Sequence, residues 1–250
     1  MKTWAVFNQK GGSSKTTTTV NLAAALGEKG KRSLVIDLDP QASASSWLGV
    51  QDGGRGLLEV FTESGRLGGL VEETGVPGVD LIPGSSWLMG TERAVAGEPG
   101  AEVILRRALG GLSPGRWDFV FLDCPPSLGF LAVSALVAAR EVLVPVEAST
   151  LALGGLAALL QTVERVKERL NPDLDISGLL ICRTDGRTRL SRDLEERLRE
   201  RFGRLVFRST IRENVRLREA WSFAQPVTVY APRSPGAEDY RSAASEFLKR

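Results

Sequence analysis

Asn8-Gln9-Lys10-Gly11-Gly12-Ser13-Ser14-Lys15-Thr16-Thr17-Thr18 lies between a short apolar run, Trp4-Ala5-Val6-Phe7, and a helical pattern carrying Val20, Leu22, Ala23 and Leu26. Strand, loop of small residues and helix, in that order, are the setting of a phosphate-binding loop. Glycines let the backbone approach phosphate oxygens, and successive N–H groups can point inward. The start of the helix adds partial positive charge at the same place. Lys15 is placed to pair with terminal phosphates, and the Thr16 hydroxyl to hold Mg²⁺. The standard pattern G-x-x-x-x-G-K-[ST] is not met: Gln9 and Ser14 stand where its two glycines belong, and a second lysine, Lys10, opens the loop.

The 250 residues suit one large α/β domain, spanning 1–250, with ample core. Hydrophobic residues make up 42% and charged residues 25%, as in ordinary water-soluble globular proteins. The charge is unevenly spread. Residues 1–182 hold 16 basic and 20 acidic side chains, whereas 183–250 hold 16 and 10. The basic C-terminal quarter fits either an anionic partner or a solvated, salt-bridged helix surface. With no histidine, the commonest general base and metal ligand is missing, so carboxylates, lysine, hydroxyls or an oxygen-held metal must carry any catalysis. Cys124 and Cys182 have no C-x-x-C partner and read as buried thiols of a reducing cytoplasm. No run approaches the ~18 apolar residues of a membrane span, and no signal-peptide pattern opens the chain.

Downstream, Ser33-Leu34-Val35-Ile36 reads as a buried parallel strand closed by Asp37-Leu38-Asp39-Pro40-Gln41, followed by a mobile loop over 42–46. Further strands are expected at 79–82, 118–123, 141–146, 176–182 and 205–207. Helices are expected at 98–110, 130–139, 149–170 and 190–202, with a C-terminal stripe of Tyr240, Ala243, Ala244, Phe247 and Leu248. The alternation predicts an α/β fold, a mostly parallel twisted sheet with helices on both faces. Ligands of such sheets sit beyond the C-terminal strand ends. Three strand ends carry polar groups: the 10–17 loop, Asp37 with Asp39, and Asp123. If their strands are neighbours, they meet in one crevice. Thr16, a phosphate oxygen and a carboxylate acting through water would then satisfy Mg²⁺, with Asp37, Asp39 and Asp123 as the acids at hand. Asp39 is placed to orient or deprotonate water. The same aspartates also fit plain turns or helix caps.

The lysine-framed loop resembles the deviant Walker A loop of the ParA/MinD family of P-loop ATPases, although Ser14 departs from the family's usual glycine. A Cβ there is expected to crowd the phosphates or shift the lysine. The resemblance extends in order through Asp37-Leu38-Asp39-Pro40-Gln41, Asp123-Cys124-Pro125-Pro126-Ser127-Leu128-Gly129, Asn214-Val215-Arg216-Leu217-Arg218-Glu219-Ala220, and Pro232-Arg233-Ser234 with Gly236-Ala237-Glu238. It covers nearly the whole chain and is nearest the chromosomal and small plasmid ParA (Soj) partition proteins.

That resemblance implies a switch. ATP with Mg²⁺ closes a sandwich homodimer, the dimer binds double-stranded DNA without sequence preference on the nucleoid, and a ParB-like partner stimulates slow hydrolysis. Under the same resemblance, Lys10 corresponds to the lysine that reaches the partner's nucleotide, Lys15 to the phosphate lysine and Asp39 to the water-orienting acid. Nucleotide contacts fall on Lys10, Gly11, Gly12, Ser13, Ser14, Lys15, Thr16, Thr17, Pro126 and Asn214. The metal falls to Thr16, with Asp37, Asp39 and Asp123. DNA contacts fall on Arg187 and Arg216, with Arg189 and Arg218 beside them. Arg212 and Glu213 replace a more usual Pro-Arg pair, and Arg183 is an unusual residue for its strand end. Two alternatives share the fold: positioning of a non-DNA cargo on the nucleoid, and a MinD-like membrane-associated regulator. The second needs an amphipathic tail, and the small, aromatic C-terminal stripe argues for no membrane contact. An iron–sulfur reductase of the nitrogenase iron-protein type needs paired cysteines that 124 and 182 do not supply.

Overall fold

A computed structural model describes residues 2–63, 65–148 and 152–250. Among them, eight strands form one sheet: β1 (Lys2–Val6), β2 (Ser33–Asp37), β3 (Glu72–Glu73), β4 (Val79–Ile82), β5 (Phe119–Asp123), β6 (Glu141–Glu147), β7 (Asp175–Thr184) and β8 (Val206–Arg212). Their spatial order is β3-β4-β2-β5-β1-β6-β7-β8. Every pairing is parallel except β3 with β4.

The period-2 alternation of a strand divides the core into two layers. Ala5, Leu34, Ile36, Val120, Leu122, Val142 and Val144 pack on one face, under the helices Gly56–Thr62, Ile104–Gly110, Phe130–Ala138, Ala152–Arg169 and Arg189–Phe202. Trp4, Val6, Val35, Phe121, Leu143 and Leu180 pack on the other, under Lys15–Gly27 and Pro235–Phe247. Because both faces are covered, the inner strands read as unbroken apolar runs rather than as alternating ones. Four members of the C-terminal stripe belong to this second layer, with Tyr240, Ala243, Ala244 and Phe247 all buried, whereas Leu248, expected with them, is exposed past the helix end.

Three expectations need correction. The mobile loop over 42–46 is instead a short helix, Ser43–Trp47, because Ser45 is buried against Asp37 and Trp47 packs into the core. The strand expected at 205–207 runs on to Arg212, since Ile211 is buried while Arg208 and Arg212 face outward. The helix expected over 98–110 is a 3-10 turn, Ala101–Val103, followed by Ile104–Gly110. Positions 149–151 of the helix expected at 149–170 lie outside the described residues.

Candidate functional site

The loop after β1 is tied down by its own side chains. Asn8 Nδ2 donates to the Pro145 carbonyl at 2.7 Å, and Asn8 Oδ1 accepts from the Lys10 amide at 3.0 Å. Gly12 lies in the left-handed region at φ 73°. So does Ser14, at φ 66°, a conformation that costs a residue with a Cβ roughly 1–2 kcal/mol. The loop therefore keeps the backbone shape of a glycine at Ser14. Its side chain lies beside the buried Cys182 thiol. The helix Lys15–Gly27 starts with no side-chain cap and no acid in its first turn. Its first N–H groups are left for an anion. Lys15 is buried, and among the described residues its Nζ reaches only the Lys10 carbonyl, at 3.4 Å. Burial lowers its pKa, with Asp123 and Asp39 pulling the other way.

The three strand ends do meet. β5 lies between β1 and β2, with Asp123 in register with Val6 on one side and Asp37 on the other. Asp123 Oδ2 accepts from Thr16 Oγ1 at 2.7 Å, and Oδ1 from Thr19 Oγ1 at 2.8 Å. Asp37 Oδ2 accepts both the Ser45 amide at 2.8 Å and the Ser45 hydroxyl at 2.7 Å. Both carboxyls are fully buried. Burial drives both pKa values up; the charge of Asp37 raises that of Asp123 further, and Asp39 does the same to Asp37. The environment thus asks for positive charge beside Asp123. Asp39, half-buried, accepts from the Gln41 amide at 3.0 Å.

A cleft of about 550 Å³ is lined by residues 11–17 together with Asp39, Ser43, Pro126, Arg183 and Arg218. It adjoins a mostly apolar cavity of about 420 Å³, bounded by Trp47, Asn214, Leu217 and Trp221. Ser14, Thr17, Arg183 and Arg218 line both. A polar cradle opening onto an apolar slot matches a ligand with a phosphate end and a flat ring end. Asn214 caps the helix Val215–Ser222 by accepting from the Arg216 amide at 2.8 Å, which leaves its NH₂ to donate. Asp37 does not line the cleft but sits beneath it. Among the described residues no cluster of three or more acids, thiols or imidazoles forms a metal cage.

The loop lysine Lys10 pairs with Glu147 Oε2 at 2.7 Å. The other oxygen of Glu147 holds Arg183 at 2.9 Å, and Arg183 also reaches Glu213 at 3.6 Å. Arg183, like Ser14, is left-handed, at φ 56°. Arg212 is structural: its amide and guanidinium bind Asp239 of the C-terminal helix at 2.7–3.0 Å. Arg187 and Arg189 are almost fully solvated yet paired, with Asp185 at 2.9 Å and Asp193 at 3.8 Å. Arg216 pairs with Glu219 at 2.6 Å. Arg218 turns to the nucleotide-sized cleft. Because β7 and β8 are adjacent and parallel, Arg187, Arg189 and Arg216 all follow the C-terminal ends of neighbouring strands, whereas Arg218, expected beside them, lines the cleft.

Sequence reasoning missed Thr19, Ser45 and Glu147. Thr19 sits one helical turn beyond Lys15 and could have been found as a partner for a strand-end acid. Nothing local announces Glu147, which meets Lys10 across 137 residues of chain.

Comparison with known proteins agrees with this geometry. A family model described as an AAA domain matches residues 1–176. The chromosome-partitioning ATPase Soj of Thermus thermophilus is 46% identical over 246 residues, covering 98% of this chain and 95% of that protein. The sporulation initiation inhibitor protein Soj of Bacillus subtilis is 41% identical, covering 97% and 96%. The crystal structure of a cobyrinic acid a,c-diamide synthase from Mycobacterium smegmatis, with bound ADP and magnesium, superposes with a TM-score of 0.86 at 35% identity, covering 100% and 94%. The chain belongs to the ParA/Soj branch of the ParA/MinD family of P-loop ATPases.

Proposed function

We propose that this chain acts as one ATPase domain that partitions chromosomal or plasmid DNA. The convergence of Lys15, Thr16, Asp39 and Asp123 at the ends of β1, β2 and β5 carries this reading. The site fits a magnesium–nucleotide: among the described residues Ser13 Oγ is buried without a hydrogen-bond partner, the helix start is uncapped, and Lys15 is a buried ammonium offered only a carbonyl. When bound, magnesium neutralises charge on the phosphates. Thr16 would hold it, with Asp123 beneath fixing the hydroxyl. Lys15 pairs with the phosphate oxygens, and Asp39 orients the attacking water. Asn214 donates to the base in the apolar slot.

Lys10 would leave Glu147 and reach the nucleotide of a second copy, closing a homodimer. The dimer doubles the basic edge formed by Arg187, Arg189 and Arg216, with Arg218 at the rim of the cleft, and so binds duplex DNA through its phosphates, without sequence preference. A ParB-like protein then stimulates hydrolysis, and the cycle runs on the nucleoid in the cytoplasm.

Two other readings find less support. A membrane-associated role is not favoured by the C-terminal stripe, which is buried in the fold except for Leu248, and among the described residues no helix is long and apolar enough to cross a membrane. The Mycobacterium smegmatis protein's name denotes amide formation. Neither thiol here suits a nucleophile: both are fully buried, and burial pushes Cys182 up to about 12 and Cys124 well above its ordinary value. Sedimentation with ATP tests the proposal. Wild type should dimerise with ATP and stay monomeric with ADP, and Lys10→Ala should bind ATP yet remain monomeric. A normal ATP-dependent dimer in that variant would refute the cross-subunit role.

A further inference from the structure

The basic excess of the C-terminal quarter is not confined to where the family motifs lie. Arg187, Arg189 and Arg216 each already hold a carboxylate. A second basic region lies at the opposite end of β8. There a groove of about 1160 Å³ runs between the end of the helix Arg189–Phe202, the start of β8 and the end of the helix Pro235–Phe247.

The groove is built on two arginines committed to the fold. Arg199 donates to the Phe207 and Arg208 carbonyls and pairs with Glu195. Arg250 donates to the Ser177 and Val206 carbonyls and pairs with Glu246. Glu246, the acid lining the groove, is consumed in the same frame. Its oxygens accept the Arg208 and Ser209 amides at 2.8 and 2.9 Å, which closes the free edge of β8. Over this frame stand Arg204, Arg208 and Lys249. All three are exposed, and among the described residues none has a carboxylate within salt-bridge distance. The hydroxyl residues Ser209, Ser242 and Ser245 lie between them.

We propose that this groove is a second contact site for the phosphate backbone of duplex DNA. The inference rests on the partition reading given above. Cations without acids and interspersed hydroxyls are the groups that bind phosphate oxygens. The lining offers one apolar side chain, the buried Val206, so an acidic protein segment would find charge here but no hydrophobic anchor. From Val206 to Arg212, β8 spans roughly 20 Å, the rise of about six base pairs. One duplex lying along this edge would meet the groove at one end of the strand and Arg216 at the other.

The test is a salt titration of a labelled random-sequence duplex, with ATP, against wild type and the triple variant R204A/R208A/K249A. The variant should bind at least tenfold more weakly at physiological salt. Its log–log salt slope should be shallower by about 0.9 for each phosphate left unneutralised, up to about three per subunit. ATP-dependent dimerisation and basal ATP turnover should be unchanged, because the groove lies at the far end of the sheet from the nucleotide cleft. R204K/R208K should keep the wild-type slope, which separates charge from folding. Equal affinity and slope in wild type and triple variant would overturn the groove and leave the partition reading standing. Loss of binding to a polyglutamate peptide with DNA binding intact would overturn it in favour of an acidic protein partner. No DNA binding by wild type under any nucleotide would take down both readings.

Discussion

Replacing Glu147 by glutamine tests how the free subunit restrains its loop lysine. One carboxylate serves two cations here, Lys10 at 2.7 Å and Arg183 at 2.9 Å. If Lys10 must leave Glu147 to reach a second subunit's nucleotide, that ion pair opposes dimerisation. Lys10 is substantially solvated, so the pair contributes about 0.5 kcal/mol, the middle of the range for exposed pairs. Two subunits release about 1 kcal/mol, and E147Q should tighten the ATP dimer about fivefold. Glutamine keeps the side chain's length and one acceptor oxygen, so the backbone around β6 should not move. The assay is sedimentation across a concentration series with ATP, in the D39A background so that hydrolysis does not deplete the ligand. A dimer constant equal to that of the unsubstituted Glu147 protein, or weaker, would show that Glu147 does not hold Lys10 back.

Three variants in the loop and at the β2 end extend the test. Lys15→Ala should abolish ATP binding by calorimetry, because a buried ammonium at an uncapped helix start has no substitute there; unchanged affinity would contradict its role. Asp39→Ala should bind ATP normally but turn it over at least a hundredfold more slowly, by the order of effect expected of a water-positioning acid that acts mainly in the transition state; a wild-type steady-state rate would remove Asp39 from catalysis. Ser14→Gly relieves a left-handed backbone, which favours the native state by about 1 kcal/mol, while the freer unfolded chain takes back about 0.5–1 kcal/mol. Its denaturation midpoint should therefore stay within a few degrees of wild type, and a large loss of stability would mean that the contacts of the Ser14 side chain outweigh the relieved strain.

Much of this architecture was legible in the sequence because it rests on unbroken apolar runs ended by polar residues. Leu34 to Ile36 and Val120 to Leu122 are buried on both faces, so neither run needed tertiary context to be seen as a strand. Placing Asp37 and Asp123 at strand ends was enough to bring them side by side beneath one crevice once β2 and β5 proved adjacent, but not to tell that both are buried under it rather than lining it. The errors arose where a distant group overrode local preference. Serine-rich 42–46 reads as loop because serine competes for its own backbone. Asp37, eight residues before Ser45, accepts its amide and hydroxyl instead and lets the segment wind into a helix. Residues 208–212 look too polar for a strand, yet Asp239 and Glu246 satisfy the outer amides of β8 from the C-terminal helix. The left-handed turn at Arg183 leaves no compositional trace, since it is not a glycine, whereas the one at Ser14 was marked only by the glycine that the loop pattern has there.

The central claim is that ATP assembles a dimer able to grip DNA without reading its sequence. Its most direct measurement is binding of duplexes of unrelated sequence to wild type with ATP, with ADP and without nucleotide, across a range of salt. The account predicts binding with ATP alone, equal for all sequences, and weakening with salt at a log–log slope of about −0.9 per phosphate neutralised. Binding that is the same in all three nucleotide states, or that favours one sequence, would contradict it.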